Sequence, residues 1–376
     1  MKRYTALCVW ILLTFILSGC WDETQIAEVN YATAIGIDYV DEKYILYVQM
    51  LDFSNVAKPD SNKQIEDPPL FIGKSSGRTF NEAINNLYKT SQQPFHWGQI
   101  GAIIYSESAL ENGIDKVQQA IQRNGEFRYT PWMFGTKDSL QKMLGVSGFF
   151  HLPPIYTILY SPKDSYEIYS YIRPLRMHKF ISIYKDPGGT AILPSITIDD
   201  NSWKELATGE KTKDTLKING GFQISGNTYL GWLSYDELKG LRWMEAGTKM
   251  TPVQIIEDGK QLGVVEITKP RGEIHIERDG TDAIFQFTVN AKGKLVDLEE
   301  EQSQTKIEKL AEKQIKEDIL TTYEKALEKD IDIYNLKSKL FRNGMKPEHL
   351  KEFKLSQDTI RKIDVTVHLE SKGIYK

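Results

Sequence analysis

The chain has 376 residues, of which 40% are hydrophobic and 11% aromatic, so it has enough apolar material for two or three domains with their own cores. Its formal net charge is −4, and no block of basic residues interrupts this weakly acidic composition. These features argue against a nucleic-acid-binding protein and against attachment to anionic lipid through a polybasic patch.

The first twenty residues have the order of a bacterial export signal. Lys2 and Arg3 precede an apolar run from Tyr4 to Leu17, which is followed by a serine, a glycine and Cys20. Small residues at this point predict cleavage of a signal peptide, and a cysteine directly after them is typical of a lipoprotein signal. We therefore predict that Cys20 becomes the lipidated N-terminus of the mature protein.

Two alternatives remain open for this segment, a retained transmembrane anchor and plain secretion. About 20 apolar residues are needed to span a bilayer, and this run is shorter. Plain secretion leaves the position of Cys20 unexplained. Cleavage would remove Cys8 and lipidation would use Cys20, which are the two cysteines of the chain, so no disulfide is expected.

The first half of the mature chain is predicted to alternate strands and helices. A polar, proline-bearing loop is expected over Asn55–Pro69, and Thr79 and Glu82 fit the capping box of a helix. The other elements predicted here are strands over Ala32–Ile37, Lys43–Leu51, Ile100–Tyr105 and Phe127–Phe134, with helices over Ser108–Gln122 and up to Leu144.

A polar and charged stretch, Asn201–Asp214, marks the main predicted domain boundary. It separates a first half with mixed elements from a second half with stronger strand patterns. The predicted parts are a lipoprotein signal peptide (1–19), an N-terminal α+β region with one or two subdomains (20–200), a linker (201–215) and a C-terminal α+β domain (216–376).

The C-terminal part is predicted to contain mainly antiparallel sheet. Hairpins are expected with turns at Gly226-Asn227 and at Asp279-Gly280. Near the second hairpin, Phe285 and Phe287 alternate with polar residues, and the same alternation recurs close to the C-terminus. Because successive side chains of a strand point to opposite faces, this sheet is expected to have one face in water.

The longest predicted helix runs from Leu298 to Lys329. Its apolar residues recur every four positions from Ile307 to Leu327, and its other faces carry Lys, Glu and Gln. Such a helix either binds a partner or covers the open face of the sheet. We favour the interpretation that this helix covers the sheet, because a sheet with one face in water needs an apolar layer on its other face. The predicted fold class is therefore α+β.

Catalytic and metal-binding motifs are absent from the sequence. None of the six histidines lies in an i,i+4 pair or an HExxH motif, and no cysteine would remain to complete a zinc site. The sequence also lacks a GxSxG elbow and a Gly-rich phosphate loop. We therefore predict a protein that is not an enzyme, with no catalytic residues, no cofactor and no metal.

Tyrosines are concentrated between Pro153 and Lys185. Tyr166 and Tyr169 are expected on one helical face with Ile172, where they could line a groove. An apolar core that needs bulk is the alternative. The tyrosines concerned are Tyr156, Tyr160, Tyr166, Tyr169, Tyr171 and Tyr184.

Six segments, taken in order, resemble those of a known family. They are Cys20-Trp21-Asp22, Ala34–Asp38, His96–Arg128, GGTAILPSITI from Gly188, GGFQISGNTYLGWLSYDELKGLRW from Gly220 and DIYNLKSKLFRNGMKPEHLKEF from Asp332. Their succession resembles the Ger(x)C family, the lipoprotein C subunits of bacterial spore germinant receptors. The chain has Arg123-Asn124 where the family often has Arg-Asp, so no ion-pair role is carried over to that position.

The resemblance implies a non-enzymatic protein of several α+β domains, needed for spore germination in response to nutrients. It implies a lipid anchor at Cys20 on the outer face of the cell membrane, which is the inner membrane of the spore. The implied partners are the lipid bilayer and integral membrane A- and B-type receptor subunits, and nucleic acid is not among them. The residues alone support a lipid-anchored, non-catalytic, extracytoplasmic α+β protein.

Two other classes of protein remain open. A substrate-binding lipoprotein of a transporter would have two similar α/β lobes around a cleft, and the long helix in an antiparallel half argues against it. A cell-wall hydrolase would need paired carboxylates or a zinc triad, and neither is visible in the sequence.

Overall fold

The computed structural model describes residues 29–51, 69–169, 172–206, 211–279, 282–299 and 302–370. In these ranges the strands form one sheet of ten strands, one sheet of four and a two-stranded ribbon, with helices packed against the two larger sheets. The predicted α+β class is confirmed. Cys20 and nearly all of the predicted loop Asn55–Pro69 lie outside the described residues.

The elements are numbered in chain order. The strands are β1 (Asn30–Val40), β2 (Lys43–Leu51), β3 (Leu70–Gly77), β4 (Phe95–His96), β5 (Ala102–Ser106), β6 (Trp132–Thr136), β7 (Leu175–Arg176), β8 (Ala191–Asp199), β9 (Lys204–Glu205), β10 (Lys211–Thr212), β11 (Thr215–Ser225), β12 (Thr228–Ser234), β13 (Met250–Glu257), β14 (Lys260–Asp279), β15 (Asp282–Leu298) and β16 (Ile360–Leu369). The helices are α1 (Phe80–Tyr88), α2 (Glu107–Glu111), α3 (Asp115–Arg123), α4 (Leu140–Leu144), α5 (Pro162–Tyr169), α6 (Met177–Tyr184), α7 (Leu241–Met244), α8 (Gln304–Leu327), α9 (Leu336–Arg342) and α10 (Pro347–Glu352).

The ten-stranded sheet, called the large sheet below, has a parallel centre and antiparallel edges. Its main order is β12-β11-β8-β6-β5-β1-β2-β3, and the short strands β4 and β7 pair with β1 and β6. Strands β8, β6, β5 and β1 run parallel, whereas the outer strands on both sides pair antiparallel. Parallel neighbours need crossover connections, and the helices of the first half lie in these connections.

Both faces of the large sheet are covered. Along β5, Ile103 belongs to the core on one face and Ile104 to the core on the other. Helices α1, α3 and α6 contribute to the first core, and α4 contributes to the second. Burial on both faces explains why β5 and β6 are continuous apolar runs without polar alternation.

The four-stranded sheet, called the C-terminal sheet below, has the order β13-β14-β15-β16. Its first three strands pair antiparallel, and β16 runs parallel to β15. Helix α8 packs against both β13 and β16, so it crosses the whole sheet. Its residues Ile307, Ile315 and Ile319 are buried, which confirms the prediction that this helix covers the sheet.

The first predicted hairpin is confirmed, because Ser225 of β11 pairs with Thr228 of β12 and the turn residue Gly226 has a φ of +53°. The second hairpin is also present. Asp279 of β14 pairs with Asp282 of β15, and the residues between them lie outside the described part of the chain.

Two helices differ from the sequence prediction for local reasons. The helix predicted over Ser108–Gln122 is two helices, α2 and α3, because Gly113 between them has a φ of +87°, outside the helical range. The long helix begins later than predicted. Leu298 still pairs with Gly263 in the C-terminal sheet, and the Ser303 side chain then caps α8 by accepting a hydrogen bond from a backbone N–H of its first turn.

The division into domains stays a prediction. Strands β11 and β12, which lie after the predicted boundary, pair with each other, and β11 pairs with β8. The large sheet therefore continues to Ser234. The predicted linker contains the two-stranded ribbon of β9 and β10.

Candidate functional site

Cys20, the one site residue predicted from the sequence, lies outside the described residues, and its lipidation stays a prediction. Among the described residues, no helix combines the length and the apolar character needed to cross a membrane. The described residues also contain no cluster of His, Cys, Asp or Glu side chains suited to a metal ion.

A cleft of about 570 Å³ lies where the large sheet meets the segment that follows α7. We call it the basic cleft. Helix α5, strand β7 and helix α6 form one wall, and the segment from Glu245 to Lys249 forms the other, with Asn335 at its edge. Five cationic side chains line it: Lys163, Arg173, Arg176, Lys179 and Lys249.

Three of these cations already contact other groups of the protein, and the first, Lys163, has its ammonium 5.8 Å from the centre of the Trp132 ring. The guanidinium of Arg176 lies 3.7 Å from the centre of the Trp132 ring and donates a hydrogen bond to the carbonyl of Thr130. Lys249 forms an ion pair of 2.5 Å with Glu167 and so joins the two walls of the cleft. The basic cleft is thus partly closed by this ion pair between its two walls.

Glu245 is the unusual acid of the basic cleft. Its Oε2 atom is sealed from solvent and accepts no hydrogen bond. Burial raises the pKa of the Glu245 carboxyl to about 7, and the positive charge of Arg173 opposes this rise. The Glu245 carboxyl is therefore near half-ionised at neutral pH. Burial, together with the nearby charge of Glu245, also raises the pKa of the Tyr166 hydroxyl to about 12.

Side-chain hydrogen bonds hold the two halves together beside the cleft. The side-chain amide of Asn335 accepts from the backbone N–H of Thr190 at 2.6 Å and donates to the Thr190 carbonyl at 3.1 Å. Asp186 accepts hydrogen bonds from Ser338 at 2.8 Å and from Arg342 at 3.2 Å. We call these contacts the latch, and they fix the position of α9 against the first half.

A buried ion pair lies on the other side of α7. Arg242 and Asp318 are 2.8 Å apart, and the indole N–H of Trp243 donates to the same Asp318 oxygen at 3.0 Å. Arg242 also donates to the hydroxyl of Thr251. Each group meets a partner of opposite charge or a hydrogen-bond acceptor, so this pair fastens α7 to α8 and is not a free site. The sequence signal was an aspartate next to Ile319 on the apolar stripe of α8.

The tyrosines of the Pro153–Lys185 segment do not form one surface. Tyr166 and Tyr169 do line one groove with Ile172, of about 260 Å³, but Ile172 is not on the same helical face, because α5 ends at Tyr169. Tyr160 instead turns inward and donates to Gln49, and Tyr184 donates to Asp115. Tyr156 is exposed, and Tyr171 lies outside the described residues.

The histidines do not converge on a site. His275 and His368 are exposed on the wet face of the C-terminal sheet. Each lies near a glutamate, at 3.7 Å from Glu273 and 3.8 Å from Glu308 respectively. His275 also lies 3.3 Å from the Thr288 hydroxyl on the neighbouring strand.

Two family models match the chain in succession. Residues 22–198 match "Spore germination protein N-terminal domain", and residues 219–373 match "Spore germination B3/ GerAC like, C-terminal". The two matches together cover nearly all of the chain after the predicted signal peptide.

Curated relatives and a solved structure agree with these matches. The chain is 22% identical over 335 residues to spore germination protein B3 of Bacillus subtilis (strain 168), covering 88% of this chain and 83% of that protein. It is 31% identical over 134 residues to spore germination protein KC of the same organism, covering 35% of this chain and 33% of that protein. The crystal structure of the GerBC protein has the same fold, with a TM-score of 0.51 and 17% identity over 90% of this chain and 97% of that chain.

Proposed function

The chain belongs to the GerAC-like family of spore germination proteins, and from this premise we propose that it is the lipid-anchored, non-enzymatic subunit of a nutrient germinant receptor. The observation that carries the proposal is the succession of both family matches directly after a lipoprotein-type signal. The proposed anchor is Cys20, and the proposed location is the outer face of the cell membrane, the inner membrane of the spore.

The proposed partners are integral membrane A- and B-type receptor subunits. An anchor confines the protein to the thin layer above the membrane, which raises its effective concentration for these subunits, so weak contacts can suffice. One acyl chain binds a bilayer only marginally, whereas two or more anchor stably, so the proposal requires a multiply acylated Cys20. The latch supports this role, because halves fixed to each other can present one surface to an assembly.

The alternative of a transporter's substrate-binding lipoprotein gains no support from the fold. Such a protein would have two similar lobes around a cleft. The basic cleft does lie between two halves, but one half is built on a ten-stranded mixed sheet and the other on four strands with a helix. The proposed function accordingly does not require the cleft to hold a transported substrate.

Spores that carry Cys20→Ala test the proposal, with Cys8→Ala as the matched control because Cys8 would leave with the signal peptide. We expect Cys20→Ala to abolish incorporation of a labelled fatty acid into the chain and to abolish germination with the nutrients of its receptor. Cys8→Ala should preserve both. Germination by a trigger that bypasses nutrient receptors should be normal in both strains.

Two results would contradict the proposal. If the bypass trigger also fails in spores without this chain, the protein acts downstream of the receptor. If Cys20→Ala spores respond fully to nutrients, the anchor is dispensable, and a diffusible binding role becomes the better interpretation.

A further inference from the structure

An exposed patch of large apolar side chains lies on the segment between α4 and α5 and on the two-stranded ribbon. We call it the aromatic patch. The rings of Phe149 and Trp203 meet edge to face with centres 5.1 Å apart, and Phe149 also contacts Phe150. Phe149, Phe150 and Trp203 form the patch through these ring contacts, and Leu152, Tyr156 and Leu206 are further exposed apolar residues of the same two segments. Exposed apolar side chains grouped in this way mark an interaction surface.

The backbone of this segment directs its most exposed ring outward. Phe150 and His151 have φ values of +57° and +58°, in the left-handed region that residues with bulky side chains disfavour. Phe150 is 90% exposed. A disfavoured backbone that places an apolar ring in water is typical of a functional surface, because packing alone gives no reason for it.

Contacts with the ribbon hold the aromatic patch in shape. The Gly148 N–H donates to the Leu152 carbonyl at 2.8 Å, and the Lys213 ammonium donates to the Ser147 hydroxyl at 2.7 Å. His151 lies 3.7 Å from Glu205 of β9. The patch therefore consists of two chain segments that are tied to each other.

Both ends of the segment that carries the patch are fastened to Gln49. Its side-chain amide donates to the Leu144 carbonyl at 2.5 Å, and its amide oxygen accepts from the Tyr160 hydroxyl. Gln49 pairs with Ala34, four residues after β1 begins at Asn30. At about 3.3 Å per residue, the segment is fastened within roughly 13 Å of the start of β1.

The start of β1 is also where the proposed membrane tether begins. Asn30 lies ten positions after Cys20, so the chain between them spans at most about 36 Å when fully extended. This step rests on the proposed function, since it takes Cys20 as the anchor. An anchor at Cys20 then keeps this end of the large sheet within that distance of the bilayer surface.

We propose that the aromatic patch inserts into the headgroup region of the bilayer that holds the Cys20 anchor. Tryptophan, tyrosine and phenylalanine prefer this region, where an apolar ring leaves water without entering the hydrocarbon centre. The exposed ammonium groups of Lys204 and Lys211 on the ribbon complement the negative headgroups of anionic lipid. A tether alone leaves the protein free to rotate, and this second contact fixes which face it turns to its partners.

A spin label attached at position 150 tests the proposal on the full acylated chain in vesicles of phosphatidylglycerol and phosphatidylethanolamine. Phe150→Cys provides the attachment site, and no other thiol is free when Cys8 has left with the signal and Cys20 is alkylated. Val296→Cys is the matched control, because Val296 is also apolar and exposed but lies on β15. We expect the label at position 150 to collide several-fold more often with oxygen, and several-fold less often with a water-soluble nickel complex, than the label at position 296.

The same sample separates the patch from the anchor. Flotation with the vesicles and the mass of the acylated N-terminal peptide report on Cys20 alone. A chain that floats while both labels are equally accessible to nickel overturns the patch and leaves the anchor intact. A label at position 150 that is shielded from both reagents indicates a protein contact and also overturns the patch. A chain that does not float overturns the anchor and, with it, the patch.

Discussion

The two larger sheets of this protein bury their apolar side chains in different ways. The large sheet has a core on each face, so its central strands are apolar throughout. The C-terminal sheet has one core, between its inner face and α8, and its outer face carries polar residues such as Thr288 and Thr366. The large sheet shares its apolar burial among short helices on both faces, whereas the C-terminal sheet is covered on one face mainly by one long helix, with buried side chains of α7, α9 and α10 in the same core.

This difference predicts where the protein is most sensitive to substitution. Loss of the buried face of α8 should uncover much of the core of the C-terminal sheet, because α8 crosses the sheet from β13 to β16. The large sheet should instead be most sensitive to substitutions that disturb the tight packing at its centre. The four predictions below test this contrast by unfolding of the chain without the predicted signal peptide, and they run from the largest expected effect to the smallest.

Ile315→Asp should have the largest effect. Ile315 is fully buried between α8 and the C-terminal sheet, and an unpaired charge there should lower the free energy of unfolding by about 5 kcal/mol. Denaturant titration measures the loss, and amide hydrogen exchange should rise in β13–β16 more than in β5 and β6. Lys316→Asp, at the neighbouring exposed position, should change stability by less than about 1 kcal/mol. An unchanged midpoint for Ile315→Asp would show that this face of α8 is accessible to solvent.

Arg242→Met should come next, with a loss of about 4 kcal/mol, because it leaves the buried Asp318 carboxylate without its ion-pair partner. The double variant Arg242→Met/Asp318→Leu should recover at least half of this loss, since it removes both buried charges. The exposed Arg361→Met serves as control and should be nearly neutral. If the double variant is less stable than the single one, the pair contributes through something other than charge.

Glu245→Gln should change the pH dependence of stability. The folded-state pKa of about 7 lies above the ordinary value of 4.5, so between these pH values the folded state holds a proton that the unfolded state has released. The wild-type protein therefore loses stability as pH rises from about 4.5 to 7, by roughly 2 to 3 kcal/mol from this carboxyl. The variant should lack this loss, so the difference in stability should grow in its favour up to pH 7 and then level off. A difference that is independent of pH would mean that Glu245 is solvated.

Gly135→Ala tests the centre of the large sheet. A Cβ at this position would lie 2.3 Å from the ring of Phe222, which is fully buried and has little room to move. Overpacking of this kind should cost about 1 to 2 kcal/mol in unfolding free energy. Gly125→Ala is the matched control, because a Cβ there meets no atom within 4 Å. Equal stability of both variants would show that the central strands can shift apart.

The parts of the fold that depend on neighbouring residues were predictable from the sequence. The Thr79 hydroxyl caps α1 by accepting from the Glu82 N–H, as the capping pattern predicted, and the Gly226-Asn227 turn closes its hairpin. The stripe on α8 also predicted its buried face. Each of these signals lies in a short stretch of the chain, where the spacing of apolar side chains and the chemistry of the turn residues decide the structure.

The parts that depend on distant residues were not predictable in the same way. Strand β8 lies between β6 and β11 in the large sheet, and no local sequence pattern predicts which strands are its neighbours. Glu245 reads as an ordinary glutamate, and its raised pKa arises from walls that other segments supply. The aromatic patch has the same origin, because Trp203 is brought to Phe149 by the fold. Cys20 was the opposite case, since its prediction rests on order along the chain alone.

The latch has a consequence for the order in which the parts of the chain fold. Asn335 binds both backbone groups of Thr190, a residue 145 positions earlier in the chain. Contacts of such separation require a large loop to close, so they form after local structure has appeared. A chain that ends before Asn335 would keep the strands of the large sheet but leave the buried backbone of Thr190 without these two bonds. A prematurely ended chain should therefore be degraded by proteases faster than the intact chain.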